Sequence, residues 1–475
     1  MSVWRFLDLF GWTAAAFTVT VALISLCLVV LALSANIRYL AGEGVRRLLF
    51  PRGRLAAPVT IIVPAYNEAS GIVGSVQSLL QQTYATYEII VVDDGSTDGT
   101  FEALDEAFDL VPVPYVEPAH AVECKDILDV WLNRKGYPLR VVRKVNGGKA
   151  DSQNAGLNVS LTPYVCILDA DSVLVRDALD RVLAVFAADD TTIAVGGGIG
   201  VVNGCRVVDG YVDTVHLPRH PFALFQVLEY LRSFLYGRIG WASINATLIV
   251  SGAFGVFRRD ALEAVGGYRS TALAEDLDLV MRLHLHNAEH GGANTIKFLP
   301  ETLCYTEVPT DRTSLGNQRI RWERGLAEAL SHNRAIFWRK GTGSAGRLAA
   351  PYYLFVELLS PLIEVAGLIV MFMAAWVGAL SWSSFLLFSA LCFVTSVVLS
   401  ASAVLLDQLA FGVYRRPGQM AVLVLASMVE QLGYRQLTAF WRLRGLVRYF
   451  RRTTVTWGTM RRDTSWQQSS AVAGS

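Results

Sequence analysis

The run Tyr87-Glu88-Ile89-Ile90-Val91-Val92 passes into Asp93-Asp94-Gly95-Ser96-Thr97-Asp98-Gly99, and Gly99–Phe108 then reads as a helix. A short apolar, β-branched run closed by turn residues reads as a strand buried on both faces. The pattern recurs. Val59–Val63 runs into Pro64-Ala65-Tyr66-Asn67-Glu68, and Tyr164–Leu168 runs into Asp169-Ala170-Asp171. Leu139–Arg143 and Ile193–Val195 are further strand-like runs, and Gly71–Gln82, Lys149–Val159 and Arg176–Ala187 read as helices between them. Strands alternating with helices predict an α/β domain, a mixed and mainly parallel sheet covered on both faces. Ligands of such sheets gather beyond the carboxyl ends of the strands. Three of those ends are acidic here.

The rest of the chain is apolar. Hydrophobic residues make up 53% and charged ones 17%, with a net charge of +1. That balance points to a membrane protein and gives no footprint for nucleic acid. Residues 9–37 and 365–406 carry no Asp, Glu, Lys or Arg, and about 20 apolar residues suffice for a helix to cross a bilayer. Residues 11–34 read as a first span. It is longer than a signal peptide, and Ile37, Arg38 and Tyr39 follow where a cleavage site would stand, so it reads as a retained anchor. Arg38, Arg46, Arg47, Arg52 and Arg54 form a basic connector, which marks the cytoplasmic side. The expected divisions are 1–57 for anchor and connector, 58–312 for a cytosolic α/β domain, 313–345 for amphipathic interfacial helices, 346–441 for a C-terminal membrane region and 442–475 for a basic tail. Within the membrane region 351–378 and 383–406 read as spans. Met420–Trp441 has arginines on both sides, which favours an interfacial or re-entrant helix over a crossing. The Ser/Ala-rich tail reads as disordered.

Three acidic strand ends on one edge need countercharge, and a divalent cation is the simplest supply. Asn146-Gly147-Gly148-Lys149-Ala150-Asp151 opens a helix, where glycines permit close approach and the N-terminus attracts anions. Each piece also has a bland reading. Asp-Asp-Gly-Ser-Thr-Asp-Gly is an ordinary turn and helix cap, and a lone Asp-x-Asp is common in solvated loops. Glu275-Asp276-Leu277-Asp278 could be the acidic first turn of a helix. Arg321 and Trp322 could anchor the chain at a bilayer surface. His284, His286 and His290 read as surface helix residues rather than metal ligands. The six cysteines lack metal or disulfide spacing and read as small core residues. Glu357 and Glu364, seven residues apart, fall on one helical face and could border a polymer path with Glu430 and Tyr434. The bland alternative for the two glutamates is an interfacial contact with arginines or headgroups.

The ordered set Val-Asp-Asp-Gly-Ser, Gly-Lys-Ala, Asp-Ala-Asp, Ser-Gly-Ala-Phe-Gly, Glu-Asp and Gln-Arg-Ile-Arg-Trp, spread over residues 58–325, resembles the family-2 glycosyltransferases. The likeness is to their processive membrane branch, the cellulose, chitin, hyaluronan and poly-N-acetylglucosamine synthases. It implies a GT-A type nucleotide-sugar-binding domain with transmembrane and interfacial helices, in a multi-pass protein of the plasma (inner) membrane. It implies a UDP-sugar donor, a glycan acceptor, membrane lipids around the chain, and Mg2+ or Mn2+. An accessory membrane subunit or a second copy could complete a channel. Pro64, Tyr66, Glu68, Asp94, Lys149, Asp169, Asp171 and Arg321 would then meet the donor, Tyr66, Glu68 and Asp94 at its nucleobase and ribose. Asp171 would also engage the metal. Ser251, Gly252, Gln318 and Trp322 would meet the acceptor. Asp276, with Glu275 beside it, would be the general base of an inverting transfer. Many such enzymes carry threonine before the Glu-Asp pair, where this chain has Ala274. A non-processive transferase acting on a lipid or short glycan, and a catalytically silent scaffold that keeps the fold, remain the alternatives.

Overall fold

The computed structural model describes residues 3–49, 57–208 and 210–452. Among the described residues there are twelve strands: β1 (Val59–Ala65), β2 (Tyr87–Asp93), β3 (Leu110–Val113), β4 (Ile127–Asn133), β5 (Leu139–Lys144), β6 (Tyr164–Leu168), β7 (Val173–Leu174), β8 (Thr192–Val201), β9 (Arg206–Val208), β10 (Tyr211–Thr214), β11 (Phe254–Arg258) and β12 (Thr295–Thr306). Ten of them form one sheet in the order β3-β4-β5-β2-β1-β6-β11-β8-β12-β7, and β9 pairs with β10 apart from it. The pairings β5–β2, β2–β1, β1–β6 and β8–β12 are parallel. Following the antiparallel joins, only β4, β11 and β7 run against the rest, so the sheet is mixed and mostly parallel.

The central strands are apolar because both faces are covered. Ile61, Val63, Ile89 and Val91 face one helical layer, and Ile62, Ile90, Val92 and Ile167 face the other. Each fully buried side chain of this size contributes roughly 1.5–3 kcal/mol. The strand β4 was not legible as an apolar run, because it mixes Asp129 and Asn133 with apolar residues and most of its positions are only partly buried. The thiols of Cys166, Cys205 and Cys304 are core residues, as expected, but Cys27 is exposed on the first apolar helix and Cys392 is half-buried.

The N-terminal helix runs from Val3 to Leu49. The helix continues into the basic connector as far as Leu49. Single glycines cost a helix only about 1 kcal/mol each, and the first proline of the sequence is Pro51. Arg52, Arg54 and the Ser/Ala-rich tail lie outside the described residues. Among those described, Thr13–Gly42 and Trp382–Ala410 are long and apolar enough to cross a membrane. The expected span at 351–378 falls on a helix pair, Ala345–Leu358 and Ser360–Trp376, bent by 41°. Pro361 in the first turn of the second helix and the π-helical Tyr353–Leu358 account for the bend. Met420–Trp441 is likewise two helices, Pro417–Val429 and Tyr434–Phe450, parted near Gly433.

One segment had no counterpart in the sequence reading. Pro221–Leu231, the π-helical turn Arg232–Arg238 and Ile239–Ala242 form a nearly continuous helix inserted between β10 and β11. It packs against both candidate spans. A Cβ at Gly240 would lie 2.9 Å from the Leu28 carbonyl oxygen of the first, and Arg232 hydrogen-bonds Ser400 of the second at 2.6 Å.

Candidate functional site

Because β2, β1 and β6 are parallel neighbours, their carboxyl ends share one edge. The loops there are tied together. Asn67, at φ 56°, donates its amide to Ser96 Oγ at 3.0 Å and accepts the Thr97 amide at 2.8 Å. The amides of Glu68 and Ala69 donate to Thr100 Oγ1 and Asp98 Oδ2. Asp93 accepts the Ser96 amide at 3.0 Å. Asp93, Ser96 and Asp98 thus serve as turn and cap residues, the bland reading of that motif.

Asp94 is deeply buried. Its Oδ1 accepts Lys144 Nζ at 2.7 Å and the Gly147 amide at 2.9 Å, and its Oδ2 accepts the Gly148 amide at 2.7 Å. Lys144, with no exposed surface, also pairs with Asp151 at 2.6 Å. Asp94 therefore holds the Gly147-Gly148 loop, and through it the start of the Lys149–Val159 helix.

β11 runs antiparallel to β6, with Phe254 opposite Leu168. That brings the residues before β11, Ser251 and Gly252, to the same edge as Asp169. Lys149 Nζ pairs with Asp169 at 2.6 Å and Glu275 at 3.2 Å and donates to the Gly252 carbonyl at 3.2 Å. Burial alone would lower the Lys149 pKa, but the two carboxylates outweigh it and the ammonium is held on. Gly252 is a close approach. A Cβ there would come within 3.0 Å of Lys149 Nζ and 3.2 Å of Glu275 Oε1. Asp276 Oδ2 accepts the Gly252 amide at 3.1 Å, and Oδ1 accepts the Leu277 amide at 2.8 Å. Burial, then the neighbouring Glu275, push the Asp276 carboxyl up, and Lys149 and Arg238 oppose that.

The helix Arg312–His332 supplies Gln318, Arg321 and Trp322. Trp322 keeps 40% of its surface exposed, and the Arg319 guanidinium stacks 4.6 Å from its ring. The next residue, Glu323, is 3% exposed and pairs with Arg442 of the C-terminal helix at 2.7 Å. The two helices touch closely. A Cβ at Gly316 would lie 2.8 Å from Trp441 Nε1, and one at Gly445 would lie 2.6 Å from the Ile320 carbonyl oxygen.

A single cavity of about 1470 Å³ joins these parts. Every site residue expected from the sequence lines it: Pro64, Tyr66, Glu68, Asp94, Lys149, Asp169, Asp171, Ser251, Gly252, Glu275, Asp276, Gln318, Arg321 and Trp322. It continues past them to Ser25 and Leu28 of the first apolar helix and to Tyr353, Glu357 and Glu364. Glu357 and Glu364 share it although the chain bends between them, so they do not stand on one straight helical face. Glu357 lies 3.8 Å from Arg442. Glu430 and Tyr434 are not on the wall. Glu430 is sealed in an ion pair with Arg232, and Tyr434 packs against Phe225. His284 is buried, with Nε2 at 2.8 Å from the Thr247 carbonyl, rather than at the surface. Arg238, Glu323 and Arg442 of the wall were missed in the sequence, since which charges reach the cavity depends on how distant helices pack.

Among the described residues no three His, Cys, Asp or Glu side chains converge as a metal cage. A Mg2+ or Mn2+ bound together with a diphosphate needs only a carboxylate or two, since phosphate oxygens and waters complete its shell. Asp171, on the cavity wall with its Oδ1 3.4 Å from the Thr306 hydroxyl, meets that demand.

Residues 164–414, more than half of the chain, match glycosyl transferase family group 2, and residues 60–117 match glycosyl transferase family 2. The poly-beta-1,6-N-acetyl-D-glucosamine synthase of Staphylococcus epidermidis is 27% identical over 281 residues, which is 59% of this chain and 56% of that protein. The enzyme of the same name from Staphylococcus aureus strain COL is 26% identical over 272 residues, 57% of this chain and 55% of that one. The chain thus spans about half the length of the curated relatives it matches. Among solved structures, the mannosyltransferase PcManGT from Pyrobaculum calidifontis, in complex with GDP-Man and Mn2+, is 21% identical. Its TM-score is 0.46, over 91% of this chain and 99% of that one.

Proposed function

The chain belongs to glycosyl transferase family group 2, and from that premise we propose that it is an inverting, metal-dependent membrane synthase. It takes a hexose or N-acetylhexosamine from a UDP-sugar, adds it to a growing β-linked polysaccharide, and feeds the polymer outward. It sits as a multi-pass protein in the plasma membrane with the α/β unit on the cytosolic side. The observation that carries this reading is the continuity of one cavity, from the strand-end residues Tyr66, Glu68 and Asp171 to Leu28 and Glu364 of the apolar helices.

In this reading the nucleotide lies over the ends of β1 and β2, with Tyr66 and Glu68 at the cavity wall. Two backbone amides aim the Asp276 carboxylate, which accepts the proton of the acceptor hydroxyl. That oxygen forms its bond to the anomeric carbon as the bond to the diphosphate breaks, and the electron pair leaves with UDP. Arg321 and Lys149 face the charge that gathers on the leaving group. A divalent cation at Asp171 supplies further neutralisation of that diphosphate when bound. Trp322 offers a flat apolar face to a sugar ring.

The test is incubation of the purified full chain with a panel of UDP-sugars and Mg2+ or Mn2+, reading UDP release and product length together. Long products that vanish on chelation support the proposal. Products extended by one sugar support the non-processive transferase. No release with any donor, with Asp276→Asn indistinguishable from the parent, supports the silent scaffold. Asp171→Asn is expected to raise the metal concentration for half-maximal rate at least about tenfold.

A further inference from the structure

The cavity wall carries several cations, and four of them are matched by carboxylates. Lys149 meets Asp169 and Glu275, Arg232 meets Glu430, Arg319 meets Glu229, and Arg442 meets Glu323. Arg238 is different. It lines the same cavity, yet among the described residues it has no ion pair, and its Nη1 is buried without a hydrogen-bond partner. Its guanidinium lies 4.4 Å from the Phe234 ring. Phe234 is itself fixed by stacking on Phe298 and by an edge contact with Tyr230. The ring holds one face of the guanidinium and leaves its N–H groups without acceptors. Burial pushes the Arg238 pKa down, whereas partners hold those of Arg319 and Arg442 up. A buried cation in this state is costly unless something completes it.

Its surroundings indicate what that is. Arg238 ends the π-helical turn Arg232–Arg238, and such turns re-aim side chains and recur at functional sites. Two residues on, Gly240 is locked against Leu28 of the first apolar helix. The phenols of Tyr353 and Tyr230 and the carboxylate of Asp276 act on the charge of Arg238. Arg238 therefore lies within electrostatic reach of the base, on a helix packed against the first apolar helix. An anion there would meet the field of the Asp276 carboxylate. A neutral sugar would not, because one hydroxyl can donate to Asp276 while a neighbouring oxygen accepts from Arg238.

We propose that Arg238 is an acceptor-binding residue, donating its N–H groups to oxygen atoms of the terminal, uncharged sugar of the acceptor glycan and so fixing the ring whose hydroxyl Asp276 deprotonates. The inference rests on the transferase reading of the same cavity and adds the residue that holds the acceptor and the neutral character of what it holds.

The experiment uses the full chain in detergent. Binding of UDP, of a β-1,6-linked N-acetylglucosamine tetrasaccharide and of cellotetraose is measured by calorimetry for the parent, Arg238→Gln and Arg238→Lys. The expected result is an oligosaccharide Kd raised about 10–100-fold in Arg238→Gln, with the UDP Kd unchanged, the thermal midpoint no lower than that of the parent, and partial recovery in Arg238→Lys. Equal oligosaccharide affinity in Arg238→Gln overturns the proposal. So does a parent protein that binds neither oligosaccharide but binds a phosphate-bearing glycolipid. Arg238-dependent oligosaccharide binding without any UDP-sugar turnover would support this contact and overturn the transferase reading instead.

Discussion

Asp94→Ala is expected to act on stability before it acts on any ligand. Asp94 is 3% exposed, and its two oxygens accept Lys144 Nζ at 2.7 Å and the amides of Gly147 and Gly148 at 2.9 and 2.7 Å. Removing it leaves Lys144, which has no exposed surface, with Asp151 as its one carboxylate and strips two amides of their acceptor. Breaking a buried charged pair of this kind costs about 3–5 kcal/mol. For a folded unit of this size each kcal/mol moves the thermal midpoint by about 2–4 °C, so a fall of roughly 6–20 °C follows. Asp94→Asn keeps one oxygen acceptor and should lose about half as much. The assay is thermal unfolding of the purified full chain, with UDP binding measured at a temperature where the variant is still folded. UDP affinity should fall too, because the Gly147-Gly148 loop leads into the Lys149 helix. A variant with an unchanged midpoint and abolished UDP binding would refute the reasoning, since Asp94 would then be a ligand contact alone.

Asp276→Asn keeps the shape of the base and removes its proton affinity, so kcat should fall about 10²–10⁴-fold with UDP binding intact; a rate within tenfold of the parent would remove Asp276 from the role of base. Burial pushes the Glu323 carboxyl from 4.5 up to about 7 despite Arg442. The folded chain then holds a proton between those pH values that the unfolded chain has released, so this group costs stability as pH rises through the window, on the order of 3 kcal/mol in all. Glu323→Gln should flatten the thermal midpoint between pH 5 and 7.5 relative to the parent, and an unchanged slope would contradict the assignment. A side chain at Gly445 would meet the Ile320 carbonyl oxygen 2.6 Å away. Gly445→Val should therefore cost about 1–3 kcal/mol and lower UDP-sugar turnover by displacing Arg442, and parental stability and turnover would show that the helices part freely.

Much of the α/β unit is legible in the sequence because parallel strands covered on both faces must be apolar throughout. Val59–Val63, Tyr87–Val92 and Tyr164–Leu168 announce themselves, and their acidic ends fall together once the strands are parallel. The strand β4, next to the sheet's edge, is harder to read. Ile127–Asn133 mixes Asp129 and Asn133 with apolar residues, as a strand half in water does. The helix Pro221–Ala242 was not legible as a partner of the spans. Arg232 and Arg238 interrupt its apolar run, and Arg232 is tolerated there because Glu430 and Ser400 meet it from elements about 170 residues or more away. Glu323 and Arg442 are separated by 119 positions, and no local pattern marks either.

What the sequence determined by itself is the set of chemical groups and the edge on which they gather, since strand direction and the turn residues after each strand are local matters. What only the tertiary structure decided is which charges are satisfied. Lys149 is occupied by Asp169 and Glu275, and Asp94 by Lys144 and two amides, while Arg238 is left without a partner for its buried Nη1. The reason is physical. Burial makes each charge expensive unless a partner arrives from elsewhere in the chain, and which partner arrives depends on how the sheet, the inserted helix and the apolar helices pack together.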